Sequence, residues 1–405
     1  MHKLSLLFVV LLTSTTLTIA QHPTCGTDAL MHQLRSHDPL VMQREQEVNL
    51  SIRSQLMLGA RGGDEQLTIP VVVHIIHNGG NENISDELVQ QGIADLNAAF
   101  ANNGAYNIPD GVDVGIHFCL AQQDPNGLPT TGITRHQSPL TEMISETQDL
   151  QLKNIVRWDP MRYLNIWLVR EISSVNTGSG VAGYAYFPQA HGGPSDGIVN
   201  EARWFGSNTD NSKIHIHEAG HYLGLYHTFE GGCTNNDCLS DGDRVCDTPP
   251  DASTVGVSCG STANTCTTDA DDTSLNNPFR PVAFGGIGDR PDLTNAYMDY
   301  GQQACQDRFT QGQADRMVAA LTIARHSLLL SEGCLSSCGA AILAMGIADG
   351  AQYVQGQNAA ISPNVQGNVP MTYAWSIGNT VLATTQNFNA NLIPYGTHTL
   401  LFTVT

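Results

Sequence analysis

Basic residues are scarce in this chain: 18 Lys and Arg stand against 38 Asp and Glu in 405 residues, a formal net charge of −20. The average field of such a protein repels phosphates, which argues against nucleic acid as a partner. Charge of either sign is sparse at 14%, yet the hydrophobic share of 41% suffices for real cores. Beyond the first residues no apolar run is long enough to cross a bilayer, so no membrane span is expected in the mature protein. No internal repeat is evident. At this length two or three packed units are expected rather than one.

Residues 1–20 join Lys3 to an apolar run from Leu4 to Leu12, with Thr18 and Ala20 placed for cleavage after Ala20. This pattern reads as a secretory signal peptide, and the protein is expected outside the cell. Ten cysteines in an exported chain point to disulfides. Cys233, Cys238, Cys246, Cys259, Cys266 and Cys305 cluster together, Cys25 and Cys119 lie far upstream, and Cys334 and Cys338 follow. Spacing alone leaves their connectivity open.

Residues 21–60 are polar and of mixed charge, as in a prosegment. TIPVVVHIIHN (68–78) is a β-branched run typical of a buried strand. A helix capped by Ser85 should follow, with Asp86 and Glu87 in its first turn and Leu88, Ile93, Leu96 and Phe100 facing inward. Residues 112–121 and 163–172 read as strands, and 183–188 and 196–204 as twisted or edge strands. Residues 230–296 are rich in Asp, Thr, Cys, Gly and Pro, a length of loop that needs tying down. Thr310 should cap a last helix (310–326) with Met317, Val318, Leu321 and Ala324 on its apolar face. Short strands in residues 340–405, including MTYAWSIGN and THTLLFTVT, suggest a β-sandwich.

The chemistry lies in HIHEAGHYLGLYHTF (215–229), with four histidines, one glutamate and two glycines. On a helix His217 and His221 are four apart and share a face, so one cation can take both. Glu218 stands beside them, able to hydrogen-bond a metal-bound water without ligating the metal. Gly224 tolerates the left-handed backbone of a sharp helix end, which brings His227 round as a third nitrogen. Three His ligands leave one tetrahedral position open for water, the mark of a catalytic zinc. Zinc acidifies that water, and Glu218 would take its proton and return it to a leaving amine. A core helix with satisfied histidines is the competing reading; the added fixed offsets of Gly224 and His227 favour the metal.

HEAGHYLGLYH resembles the metzincin zinc-binding pattern. NAYMDYG (295–301) is similar to the methionine turn of that class, which implies that Met298 packs beneath the ligands and that Tyr300 stabilises the oxyanion. CGTDALM (25–31), FCLAQQDPNG (118–127), RYLNIWLV (162–169), HTFEGGC (227–233), GDRVCDTPP (242–250) and CQDRFTQGQADRM (305–317) resemble the pappalysins, specifically their cytophagalysin-like branch. The resemblance runs from about Cys25 to Cys334. It implies an α/β (α+β) catalytic domain over residues 61–335, two subdomains flanking a zinc cleft, hydrolysis of protein or peptide substrates, and structural calcium held by Asp243, Asp247 and Thr248.

It also implies that Cys25 ligates the zinc in a latent form, the prosegment serving as intramolecular inhibitor until a cut near LGARGGD (58–64). Cys259 is expected to pair with Cys305, and Cys266 with Cys233 or Cys238. With Cys25 on the metal, parity leaves another thiol unpaired, and Cys119 is the candidate. Well-studied relatives cut before Arg or Lys with the help of a carboxylate. Here Gln302 and Gln303 stand where acidic residues often occur, although a bond before Arg61 would suit a basic preference. Residues 340–405 resemble an immunoglobulin or PKD-like module, incomplete by one strand. A catalytically silent zinc-binding adhesion module is the alternative, and the presence of Glu218 and Tyr300 speaks against it.

Overall fold

The structure, a computed structural model, describes residues 24–404 apart from 60–65, 177, 256, 267–272, 336–340, 349 and 367–370. The signal peptide, most of the LGARGGD linker and Cys338 therefore lie outside the described residues. The fold is mixed α/β. Its elements run β1 (Thr24–Cys25), α1 (Thr27–His37), α2 (Pro39–Met57), β2 (Leu67–His77), α3 (Asp86–Phe100), β3 (Ile116–Leu120), β4 (Ile133–Gln137) and β5 (Glu142–Ile144). Then come α4 (Ser145–Lys153), β6 (Leu164–Val169), β7 (Glu171–Ser174), β8 (Gly178–Ala185), β9 (Ile198–Glu201), α5 (Thr209–Tyr222) and α6 (Gln311–Ala324).

One nine-stranded sheet has the order β3-β2-β6-β9-β8-β7-β5, with β4 also on β2 and β1 on β8. β2 is buried on both faces, as its unbroken β-branched run requires. Ile69, Val71, Val73 and Ile75 point into a core shared with α3 and α5, whereas Ile76 joins Trp167 and Leu30 on the opposite face. Each such burial contributes about 1.5–3 kcal/mol. Ser85 caps α3 by accepting from Leu88 N, and Thr310 forms a capping box with Gln313 on α6. The expected strand 163–172 divides into β6 and β7, because Arg170 leaves the ladder to bond Thr141.

The polar segment before β2 is more ordered than its composition suggested. α1 and α2 dock on the later helices: Glu45 accepts from Tyr226 Oη at 2.7 Å, and Arg53 pairs with Asp237 at 2.6 Å. The loop after α5 is crosslinked by Cys233–Cys266, Cys238–Cys246 and Cys259–Cys305.

Cys119 corrects the expectation of an unpaired thiol, since it bonds to Cys334. Neighbouring Ile116 and Phe118 fill the core. Alternation along β3 turns Cys119 the other way, where Gln122 N and Gln123 N hold the Gly333 carbonyl. Closing a loop of 215 residues removes about 5 kcal/mol of unfolded-state entropy in the chain-entropy treatment.

The tail forms small antiparallel sheets. Tyr373–Ile377 pairs with both Thr380–Ala383 and Leu400–Val404, and Trp375 packs on Phe388 and Phe402.

Candidate metal centre

Helix α5 starts at Asn208, whose side chain accepts from Asn211 N, and every residue from His215 to Tyr222 is buried. It ends because Gly224 adopts φ +90°, with Gly224 N bonded to His221 O and Leu225 N to Gly220 O. A side chain at Gly224 would be strained there and would press on Ala320 and Pro188 at 3.2 Å. The reversal carries His227 back to the helix.

The three imidazoles converge: His227 Nε2 lies 3.1 Å from Nε2 of both His217 and His221. Their outer nitrogens are all engaged. His217 Nδ1 contacts Tyr297 O at 2.6 Å, His221 Nδ1 contacts Leu225 O at 2.8 Å, and His227 Nδ1 contacts Asp28 Oδ2 at 2.8 Å. Carbonyls and a carboxylate only accept, so each Nδ1 carries the proton and each Nε2 presents a lone pair. Three lone pairs aimed at one point repel unless a cation lies between them. Tetrahedral zinc at about 2.0–2.1 Å would space such nitrogens about 3.3 Å apart, close to what is seen. The donor set fits zinc. Cys25 Sγ joins it, all four donor atoms lying within 4.8 Å of one another, and this is the one cluster of its kind among the described residues.

Glu218 is buried beside this point, its carboxylate pushed up to about 8 by burial. Its Oε2 accepts from Thr27 Oγ1 at 3.3 Å. β8 crosses so close that a Cβ on Gly183 would stand 3.0 Å from Glu218 Cγ and 2.3 Å from Asn200 Nδ2. Met298 lies beneath α5, and a Cβ on Gly220 would meet its sulfur at 2.4 Å. Tyr300 Oη donates to Cys25 O at 3.3 Å, and its ring centroid is 4.8 Å from that of His227.

Prosegment residues fill the approach to these groups. Cys25 pairs with Gly183 as β1 runs parallel to β8, Gly26 N bonds Gly183 O, and Thr27 faces Glu218. Asp28, which sequence reasoning missed, orients His227 from the prosegment; its place three residues after Cys25 was the available signal.

The groups expected to hold calcium divide. Asp243 and Thr248 meet at 2.7 Å, but Asp247 is exposed and accepts from Thr310 Oγ1 and Gly312 N at the start of α6. Asp251, also missed, is fully buried with neither carboxylate oxygen hydrogen-bonded. Gln302 and Gln303 do not line the cleft beside the histidines; Lys213, Ile214 and Gln306 do.

Convergent imidazoles on a helix and the loop that returns from it, a buried carboxylate alongside and a methionine turn below define a metzincin-class metalloendopeptidase. The family profile for pregnancy-associated plasma protein-A (Peptidase_M43) matches residues 146–322. Over that span the chain is similar to the pappalysin family. It is 28% identical over 262 residues to the extracellular metalloprotease of Arthroderma otae, covering 63% of this chain and 77% of that one. Extracellular metalloprotease 1 of Coccidioides posadasii is 26% identical over 272 residues, covering 63% and 79%. Among solved structures, a promirolysin variant of Tannerella forsythia matches with TM-score 0.56 and 28% identity, over 76% of this chain and 97% of that one. Mirolysin in complex with compound 9 matches with TM-score 0.50 and 28% identity, over 66% of this chain and 96% of that one.

Proposed function

We propose that the chain is an exported zinc endopeptidase made as a latent zymogen, with residues 21–60 as prosegment, 61–335 as catalytic domain and 340–405 as an immunoglobulin or PKD-like module. The convergence of His217, His221 and His227 beside a Glu218 that takes no part in the cluster carries this reading. A zinc ion held by those three nitrogens would polarise a substrate carbonyl and acidify a water at the fourth position. Glu218 takes the proton of the attacking water and hands it to the leaving amine; its raised affinity for protons suits both transfers. Tyr300 turns its hydroxyl, now on Cys25 O, toward the oxyanion. Relatives named as extracellular metalloproteases support export, and the promirolysin likeness supports a proenzyme. An adhesion module would have no use for Glu218. In the test, His227→Ala should lower zinc content by elemental analysis and abolish peptide cleavage together. Full activity in zinc-depleted protein would reject the reading.

Calcium near Asp243 and Asp251 belongs to the same proposal, because an unpartnered buried carboxylate is a natural cation ligand. Burial, more than any neighbour, pushes Asp243 up to about 7 and Asp251 to about 8. With folded values above those of the unfolded chain, the folded state keeps protons that the unfolded state has shed. Calcium-free protein should therefore lose stability as pH rises from about 4 to about 8. Added calcium favours the ionised forms and should flatten that loss in a series of thermal melts. Identical melts with calcium and with a calcium-selective chelator would remove calcium from the account.

A further inference from the structure

A small pocket opens beside the imidazole cluster, lined by Cys25, Ala182, His217, Glu218 and Tyr300 together with Lys213, Ile214, Gln306 and Asp299. Glu218 delivers its proton to the leaving nitrogen, so a pocket against Glu218 receives the residue that bears that nitrogen, P1′. This placement rests on the hydrolytic reading above.

One group in the pocket, the Lys213 ammonium, stands against a basic P1′ residue. Lys213 is nearly buried one helical turn before His217. Its ammonium donates to Asp210 Oδ1 at 2.9 Å and Ala304 O at 3.2 Å, which leaves one of its three N–H groups. Asp210 stands outside the pocket lining with its carboxylate half in water. Asp299 is largely taken: Oδ2 accepts from Thr228 at 2.7 Å, and Oδ1 accepts from Gly301 N and Thr254, which leaves one acceptor position. Gln306, whose Nε2 is taken by Asp299 O, is neutral. An incoming Arg or Lys side chain would meet a buried ammonium, with Glu218 committed to the proton transfer and a single acceptor position left on Asp299. An incoming Glu or Asp carboxylate would accept the remaining Lys213 N–H in a site shielded from water, where such a bond is strongest.

We propose that Lys213 makes this peptidase selective for acidic residues at P1′. The linker then offers its own processing bond, Gly63–Asp64, in place of the bond before Arg61.

The test uses the mature full-length enzyme on a proteome-derived peptide library, with cut sites read by mass spectrometry and Glu218→Ala as control. Enrichment of Asp or Glu at P1′, and a mature N-terminus at Asp64, support the proposal. Lys213→Met should lower kcat/KM for Glu-P1′ peptides about tenfold or more while Leu-P1′ peptides stay within about twofold. Lys213→Glu should shift the preference toward Lys and Arg. Active wild-type enzyme that prefers Arg, Lys or apolar P1′ residues overturns the assignment and leaves the peptidase reading standing, whatever the variants do. Absence of cleavage at every P1′ residue overturns both.

Discussion

A Glu218→Ala variant should keep its metal and lose peptide hydrolysis by a factor on the order of a hundred or more. The cluster of donor atoms comprises His217, His221, His227 and Cys25, so deleting the Glu218 carboxylate removes no donor and leaves each imidazole with its Nδ1 partner intact. What disappears is the group that moves the proton. Stability should hold or rise, because the lost carboxylate is buried and pushed up to about 8 by that burial. Glu218→Gln keeps the shape under the close-passing Gly183 and should be equally inactive. Elemental analysis beside a peptide assay separates the two effects. A variant that retains zinc and near-wild-type turnover would sink Glu218 as the base.

Replacing Cys25 by alanine should release activity before the prosegment is cut, by on the order of tenfold or more over unprocessed wild type; each 1.4 kcal/mol of lost hold is tenfold in the open population. A thiolate is a strong zinc ligand, and Cys25 Sγ is gathered with the three imidazoles, where it would take the position the attacking water needs. Burial, with the Glu218 and Asp28 carboxylates nearby, holds the thiol well above its usual value, and a cation between the imidazoles would reverse that. The prosegment keeps its other anchors, the Glu45–Tyr226 bond and the Arg53–Asp237 pair, so the variant should still fold with α1 and α2 docked. Activity of the uncut forms, compared on a protein with its linker made uncleavable, gives the answer. Equal activity would show that Cys25 does not guard the metal.

The parts of the fold that declare themselves locally were readable from the residues. Ser85 and Thr310 announce helix starts because a hydroxyl beside free amides is a short-range signal. β2 reads as a strand because eight consecutive positions are buried and filled with matching residues. The His217, His221, Gly224, His227 spacing encodes the geometry of one helix and one turn. What stayed hidden depends on distant partners. α2 is held by a narrow stripe of Val48, Ile52 and Leu56 on α6 and by polar contacts to residues nearly two hundred positions away. β4 and β5 are short and partly exposed, and they take their place from neighbours rather than from pattern. Cys119 meets Cys334 only after the sheet is built. Lys213 looks like one more charge in the first turns of a helix until the fold sets it behind Glu218.

The Cys119–Cys334 bond gives the molecule a covalent topology as well as a fold. Everything from β3 through α6, including the histidines, the long loop and the methionine turn, lies inside one closed ring of chain. A single nick within that ring, even one the enzyme makes in itself, leaves both pieces tied. The segment proposed as the prosegment lies outside it, and Cys25 forms no disulfide among the described residues. One cut in the linker is therefore enough to let the guard diffuse away irreversibly, while the same cut anywhere in the ring releases nothing.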